Sequence, residues 1–292
     1  MNAERFLIGV DGGGTGTRVV LADAHGVELA QATGGASGLG LGIDRAWQAI
    51  EAACADAFAR AGHEFDWSRC ALGCGLAGVN NRDWLAAFIA QAPEVAGLVV
   101  ESDAYTTLVG AHGGAPGVAV ALGTGSIAAA LDASGAWRVA GGYGFPSGDE
   151  ASGAWLGLRA VVHAQQVLDG RASPDGFSAA LLAQAGARDR DGLIVWLCEA
   201  NQTAYASLAP VVLAHRAHPV AAGLLAQAGA DIAKLIDALD PAAALPVALC
   251  GGLAEPLSAF VPPSHRARLQ PPRADSARGA LLLARRAAQR VP

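Results

Sequence analysis

Two short glycine-rich turns constrain this chain more than any other feature. The first lies in "FLIGVDGGGTGTRVVLAD" (Phe6 to Asp23) and the second in "GVAVALGTGSIAAALDASG" (Gly117 to Gly135). Glycine loses more entropy than other residues when a chain is ordered, so a run of it between two apolar strands marks a turn with a task. Each turn is framed by strands, and each second strand runs into a hairpin signal, "LADAHG" in one copy and "LDASG" in the other. The second turn is shorter by about two residues. Such a repeat predicts two similar halves.

The rest of the chain fits that plan. In the first half, residues 6–10, 17–22 and 27–32 read as strands. Helical spacing in "IDRAWQAIEAACADAFARAG" predicts a helix closed by Gly62, followed by strand "CALGCGLAG", helix "RDWLAAFIAQA", strand "GLVVE" and helix "AYTTLVGAH". After the joint "HGGAPG", the second half adds a third strand in "AWRVAGGYGF" and a mostly helical insertion from about 150 to 240. "LPVALCGG", "ARLQ" and the helix "ADSARGALLLARRAAQR" then supply the remaining strands and helices. In that last helix Gly279 and Ala280 permit close packing, and it is expected to return to the first domain. The domains are therefore 1–114, completed by 276–292, and 115–275. A cleft between two such α/β halves is the default ligand site.

Composition excludes several classes. With 292 residues, 52% of them hydrophobic, the chain can bury a large core divided over two domains. Only 16% are charged and the net charge is −6, which offers no broad surface to nucleic acid or anionic lipid. The mean hydropathy of +0.33 reflects alanine. Apolar runs are cut by Gly, Asp or Arg before the roughly 18 residues a spanning helix needs. No secretory pattern opens the chain, so a cytoplasmic location is expected. Five scattered cysteines, Cys54, Cys70, Cys74, Cys198 and Cys250, read as buried thiols in a reducing compartment. Cys70 and Cys74 lack the second ligand pair of a metal site.

The turns carry the chemistry. Gly12, Gly13 and Gly14 in one, and Gly123 and Gly125 in the other, let backbone N–H groups wrap an anion, while Thr15, Thr17, Thr124 and Ser126 add hydroxyl donors. Asp11 stands beside the first turn, where it can hold a hydrated Mg²⁺ through water. A single turn would serve equally as a hairpin with solvated hydroxyls; its repetition favours nucleotide phosphates. A P-loop is excluded, because the one lysine, Lys234, lies far from any glycine turn. A dinucleotide fingerprint runs from strand into helix, whereas these turns run from strand to strand.

Together, "DGGGT", "LGTGS" and the late "CGGLAEPL" resemble the nucleotide motifs of the actin-like ATPase and sugar kinase superfamily. "ESDAYTTLVGAHGG", "GGYGFPSGDEASGAWLGLRAV" and "ADSARGALLLA" look like segments of its N-acetylglucosamine and bacterial glucosamine kinases, a BadF/BadG-type branch. The resemblance covers nearly the whole chain and implies two ribonuclease H-like domains, the second with a helical insertion. It also implies ATP and Mg²⁺ as cofactors, an amino sugar as substrate, phosphorylation at O6 and a homodimer.

Transfer of a γ-phosphoryl group needs alignment, charge neutralisation and a base for the sugar hydroxyl. By resemblance that base is Asp103, although Ser102 or Asp103 could equally cap the following helix. Asp149 would bond sugar hydroxyls, with Glu150 fixing its turn; Ser147 to Glu150 also matches a capping box. Ser37, Gly38, Ala77 and Gly142 are further sugar-contact candidates, and Gly251 and Gly252 would let the chain pass close to adenine and ribose. The sequence departs from relatives near Gly38, where the family often carries asparagine, and at Ile127, where the animal enzymes are polar. Fewer donors then face the sugar, which would shift discrimination by ~1–3 kcal/mol. Two other readings are an ATPase activator of acyl-CoA dehydratases and a non-catalytic nucleotide or sugar sensor. The activator relies on cluster-bridging cysteines, yet no cysteine lies between Cys74 and Cys198.

Overall fold

The computed structural model describes residues 5–288. Its elements are β1 (Phe6–Gly12), β2 (Thr17–Asp23), β3 (Glu28–Gly34), α1 (Ile43–Ala61), β4 (Cys70–Leu76), α2 (Arg82–Ala90), β5 (Gly97–Ser102) and α3 (Asp103–His112). Then come β6 (Gly117–Leu122), β7 (Ser126–Leu131), β8 (Trp137–Gly141), α4 (Gly153–Leu168), α5 (Gly176–Gln184), α6 (Arg190–Glu199), α7 (Gln202–Ala206), α8 (Ala209–Ala214) and α9 (Pro219–Leu239). β9 (Val247–Cys250), α10 (Ala254–Ser258), α11 (Pro263–Arg266) and α12 (Ser276–Ala288) complete the described chain. Residues up to Ala115 and from Pro272 onward form one unit, and Pro116–Pro271 form the other.

The first unit is a sheet of order β3-β2-β1-β4-β5, antiparallel through β3, β2 and β1 and parallel from β1 through β4 to β5. Strand alternation divides its side chains between two faces. Phe6, Ile8 and Val10 join Trp47, Ile50, Cys54 and Phe58 of α1 in one cluster, while Leu7 and Ala71 meet Ala284 of α12 in another. The apolar stripe of α1 ends at Gly62, whose φ of 74° gives the left-handed cap that its sequence predicts. Trp47 stacks on Phe88 with ring centroids 4.2 Å apart, and its indole N–H donates to the Phe88 carbonyl at 3.0 Å.

On the other face α12 lies against β1, β4 and α3. Glycines make that approach possible by removing side chains where backbones cross. A Cβ on Gly9 would fall 2.6 Å from the Leu281 nitrogen, and one on Gly73 2.8 Å from the Ala284 nitrogen. On the helix side, a Cβ on Gly279 would fall 2.6 Å from the Gly110 nitrogen.

The second unit repeats the arrangement in a sheet of order β8-β7-β6-β9. The hairpin repeat is reproduced atom for atom: Asp23 Oδ1 accepts from the N–H groups of His25 and Val27, and Asp132 Oδ1 from those of Ser134 and Ala136. The last strand pairs, Gly12 with Thr17 and Leu122 with Ser126, leave turns of four residues (13–16) and three (123–125). The second turn is thus shorter by one residue rather than about two. "ARLQ" does not form a strand; only Leu269 bridges to Val247, because helical turns occupy the chain on its N-terminal side.

One further expectation is corrected in the helical insertion. Ser147 to Glu150 is not a capping box, since α4 starts at Gly153 and its cap is Ser152, whose Oγ accepts from the Trp155 N–H at 3.1 Å. Ser152 is fully buried, so Ser152→Ala should cost about 1 kcal/mol in chemical denaturation. α9 is 21 residues long and an 18-residue window of it reaches a mean hydropathy of 1.2, but Gly223, Gly229, Asp231 and Lys234 interrupt it, in line with the reading that the apolar runs are cut short. Its Ala221, Leu225, Ala228, Ile232, Ile236 and Leu239 recur at helical spacing and pack into the core of this unit.

Of the cysteines, Cys54, Cys70 and Cys74 are buried as expected, Cys250 is partly so, and Cys198 is exposed. Burial pushes the Cys70 and Cys74 thiols up to about 12, which keeps both protonated at neutral pH.

Candidate active site

β1, β4 and β5 run parallel, so their C-terminal ends share one edge of the first sheet, the edge at which open α/β sheets bind ligands. Asp11 on β1 is in register with Gly75 on β4, and Gly75 with Glu101 on β5. Asp103 follows as the first residue of α3. Gly75 leaves a space that Thr106 fills: a Cβ on Gly75 would sit 2.8 Å from the Thr106 Cβ. Thr106 Oγ1 lies 2.9 Å from Ser276 Oγ and 3.1 Å from the Asp103 carbonyl, and Ser276 bonds the Asp11 carboxylate.

The electrostatics follow from this packing. Burial raises Asp11 above the ordinary 3.8; the Ser276 bond opposes the rise, the neighbouring Asp103 adds to it, and Arg18 opposes it. Burial likewise raises Asp103, opposed by the Ala104 N–H that donates to Asp103 Oδ1 at 2.8 Å. The capping role left open between Ser102 and Asp103 falls to Ser102, whose Oγ accepts from the Tyr105 N–H at 3.2 Å.

The first glycine turn is built on this edge. The Gly13 N–H donates to the Gly16 carbonyl at 3.0 Å, and the Gly13 carbonyl accepts from the N–H groups of Ser37 (3.1 Å) and Gly38 (3.0 Å). The Ala77 N–H donates to the Gly12 carbonyl at 2.9 Å. A Cβ on Gly13 or Gly14 would meet nothing within 4 Å, so the turn's outer face has room for a ligand. Thr15 is exposed at the tip. Thr17 is not a tip donor: its buried hydroxyl lies 2.6 Å from both the Gly35 carbonyl and Ser37 Oγ. Ser37 is completely buried beneath Gly12, and a side chain on Gly38 would press on the turn at Gly13. Ser37 and Gly38 therefore support the turn in this structure.

In the second unit the turn Gly123–Gly125 rests on the start of α4, whose Gly153 and Ala154 N–H groups donate to the carbonyls of Gly123 (2.8 Å) and Thr124 (3.1 Å). Thr124 is half-exposed, whereas the buried Ser126 hydroxyl donates to the Glu150 carbonyl at 2.6 Å. The four hydroxyls read at the turn tips are thus two, Thr15 and Thr124. Asp149 is buried against Gly125 and takes a 2.7 Å bond from Gln202 Nε2. Burial raises its pKa, opposed by backbone bonds from Ser126 and Gly144. Asp149 and Ala151 hold φ of 60° and 65°, uncommon for non-glycine residues and typical of constrained functional segments. Gly142, at φ 72°, is exposed, and a Cβ on it would press on Ile127, so an apolar side chain lies beside it. Gly251 packs its backbone on Leu122, the residue before Gly123, and a Cβ on Gly252 would be free of contacts.

A model of the BadF/BadG/BcrA/BcrD ATPase family matches residues 8–284. The chain belongs to this family. It is 30% identical to the glucosamine kinase GspK of Vibrio cholerae over 96% of this chain and 95% of the relative. It is also 52% identical to a solved Chromobacterium violaceum protein assigned as an N-acetylglucosamine kinase, with a TM-score of 0.93, covering 96% of this chain and 99% of that one. A glucose-bound ROK family glucokinase from Streptomyces griseus, 19% identical, shares the fold at a TM-score of 0.55, covering 97% of this chain and 99% of that one. The architecture of this family member is two ribonuclease H-like halves, as its repeated turns predict.

Three polar residues escaped sequence reasoning. Thr106 and Ser276 lie 170 residues apart, and Gln202 is 53 residues from Asp149. Each sits on a helix where serine, threonine or glutamine is ordinary, and only the fold brings it to a carboxylate-bearing residue.

Proposed function

We propose that this chain is an ATP-dependent hexosamine kinase that transfers the γ-phosphoryl group of ATP to O6 of glucosamine or N-acetylglucosamine. The observation that carries this reading is the pair of half-buried acids, Asp11 and Asp103, on the ligand-binding edge of the first sheet beside an open glycine turn. Family membership and the names of the relatives support the reaction class.

In this reading Asp103 takes the proton of the attacking hydroxyl. The sugar oxygen forms the new bond to γ-phosphorus as the bond to the β–γ bridging oxygen breaks, and ADP leaves. A general base contributes roughly 10²–10⁴-fold. The Gly12–Gly14 and Gly123–Gly125 turns, closed by the Gly13 and Gly123 N–H bonds to the Gly16 and Gly125 carbonyls, hold phosphate oxygens through their remaining backbone N–H groups with Thr15 and Thr124; Gly251 and Gly252 flank the nucleoside. A partly exposed carboxylate is a hard oxygen donor that suits Mg²⁺, so Asp11, oriented by Ser276, is its holder through water. Bound there, Mg²⁺ would supply charge neutralisation for the phosphates. Asp149, held by Gln202, and the Ala77 and Gly142 segments are the sugar contacts, and the enzyme works as a homodimer.

The test is ATP turnover by purified protein with Mg²⁺ and glucosamine, N-acetylglucosamine, glucose or no sugar. Stimulation of turnover by orders of magnitude with one amino sugar is expected. Equal hydrolysis under all four conditions would refute the kinase reading.

A further inference from the structure

The helical insertion carries a polar cluster that the kinase chemistry does not use. His163 comes from the third turn of α4, Asp175 is the N-cap of α5, and His218 is the N-cap of α9. His163 Nε2 lies 2.7 Å and His218 Nε2 3.2 Å from the same oxygen, Asp175 Oδ2. All three ligand-type atoms lie within 4.8 Å of one another.

We propose that His163, Asp175 and His218 form a binding site for a divalent metal ion of the zinc class, which staples α4, α5 and α9 together. Two imidazoles and one carboxylate, with water in the fourth position, are a donor set that Zn²⁺ takes readily. The carboxylate is already oriented: its Oδ1 accepts the Ser178 N–H at 2.7 Å, which leaves Oδ2 directed at both rings. Phe177, almost fully buried, packs against His163 and His218 with centroids 5.7 and 5.0 Å away and walls off one side. The other side is open, with Asp175 and His218 side chains retaining 27% and 23% exposure.

Tetrahedral coordination at about 2.0–2.2 Å places ligand atoms about 3.4 Å apart. The His218–Asp175 pair is already near this separation, and the His163–Asp175 pair must open slightly. Each ring must also present a bare Nε2 and keep its proton on Nδ1. For His218 this gives up the long 3.3 Å bond from the Val220 N–H. The ion therefore replaces two N–H···O contacts with coordinate bonds, without redox change.

The experiment uses untagged, chelator-treated full-length protein titrated with ZnCl₂ by calorimetry, with Tm measured in parallel. One bound equivalent and a raised Tm are expected. His163→Ala and His218→Ala should each weaken binding by roughly tenfold or more, while Cys198→Ser and Asp11→Asn leave it intact. No stoichiometric binding, or binding that survives both histidine variants, would overturn the proposal. Should either variant fail to fold, X-ray absorption of the zinc-loaded wild type decides. A nitrogen and oxygen shell with two imidazoles supports the site; sulfur ligation or a shell without imidazole overturns it.

Discussion

Asp103→Asn lowers sugar-dependent ATP turnover by roughly 10²–10⁴-fold, while the variant is at least as stable as the wild type at neutral pH. Both halves of this expectation follow from burial. An asparagine keeps the shape but cannot take the hydroxyl proton. Because burial raises the folded-state pKa of Asp103, its favourable contribution to stability comes from the protonated form. That contribution is complete below the ordinary value of 3.8 and is lost as pH rises through the folded value. At pH 7 the ionised carboxylate is a cost that asparagine removes, a trade of stability for activity. The stability difference should shrink toward acid and vanish below 3.8. The acid limb of the pH–rate profile should lie above that value, and it belongs to the Asp11 and Asp103 pair because the two charges interact. Calorimetric Tm across pH, with kcat/KM on the same samples, checks both. Wild-type turnover in the variant would eliminate Asp103 as the base.

Gly73→Ala and Gly279→Ala should each destabilise the first unit by about 2–3 kcal/mol, whereas Gly13→Ala should leave stability unchanged and raise the KM for ATP. The three substitutions add the same methyl group in opposite surroundings. At Gly73 and Gly279 it meets backbone atoms of the α12 crossing, which cannot move aside as a flexible side chain would. At Gly13 it meets nothing within 4 Å of protein and instead enters the space assigned to a phosphate. Thermal unfolding and ATP kinetics separate the two classes. A stable Gly73→Ala protein would mean that α12 does not pack as closely as described. An unaltered ATP KM in Gly13→Ala would remove the first turn from the nucleotide site.

The two sheets were legible because their signals are local. Strand, glycine turn and strand, then the aspartate-anchored hairpin, appear in "DGGGTGT…LADAHG" and again in "LGTGS…LDASG", and the paired hydrogen bonds of Asp23 and Asp132 reproduce the repeat. Failures occurred where several short-range readings compete. "SGDE" has capping-box spacing, yet the helix begins three residues later at Gly153, where Ser152 is buried and its hydroxyl already bonded to Trp155. "ARLQ" has strand-like alternation, but the preceding turns leave it one bridge.

Hydroxyl roles were the least readable. Thr15 and Thr17 are equivalent in sequence, and only packing decides that one is exposed while the other is locked to Gly35 and Ser37. By itself the sequence determined the repeated α/β plan, the two glycine turns and the acids beside them, because backbone conformation and hydrophobic period are written within a few residues. Tertiary structure alone decided which hydroxyls remain free, which serine orients Asp11 and where the two histidines meet Asp175. Those contacts join residues from 12 positions apart, His163 and Asp175, to 265 apart, Asp11 and Ser276, and no local pattern encodes them.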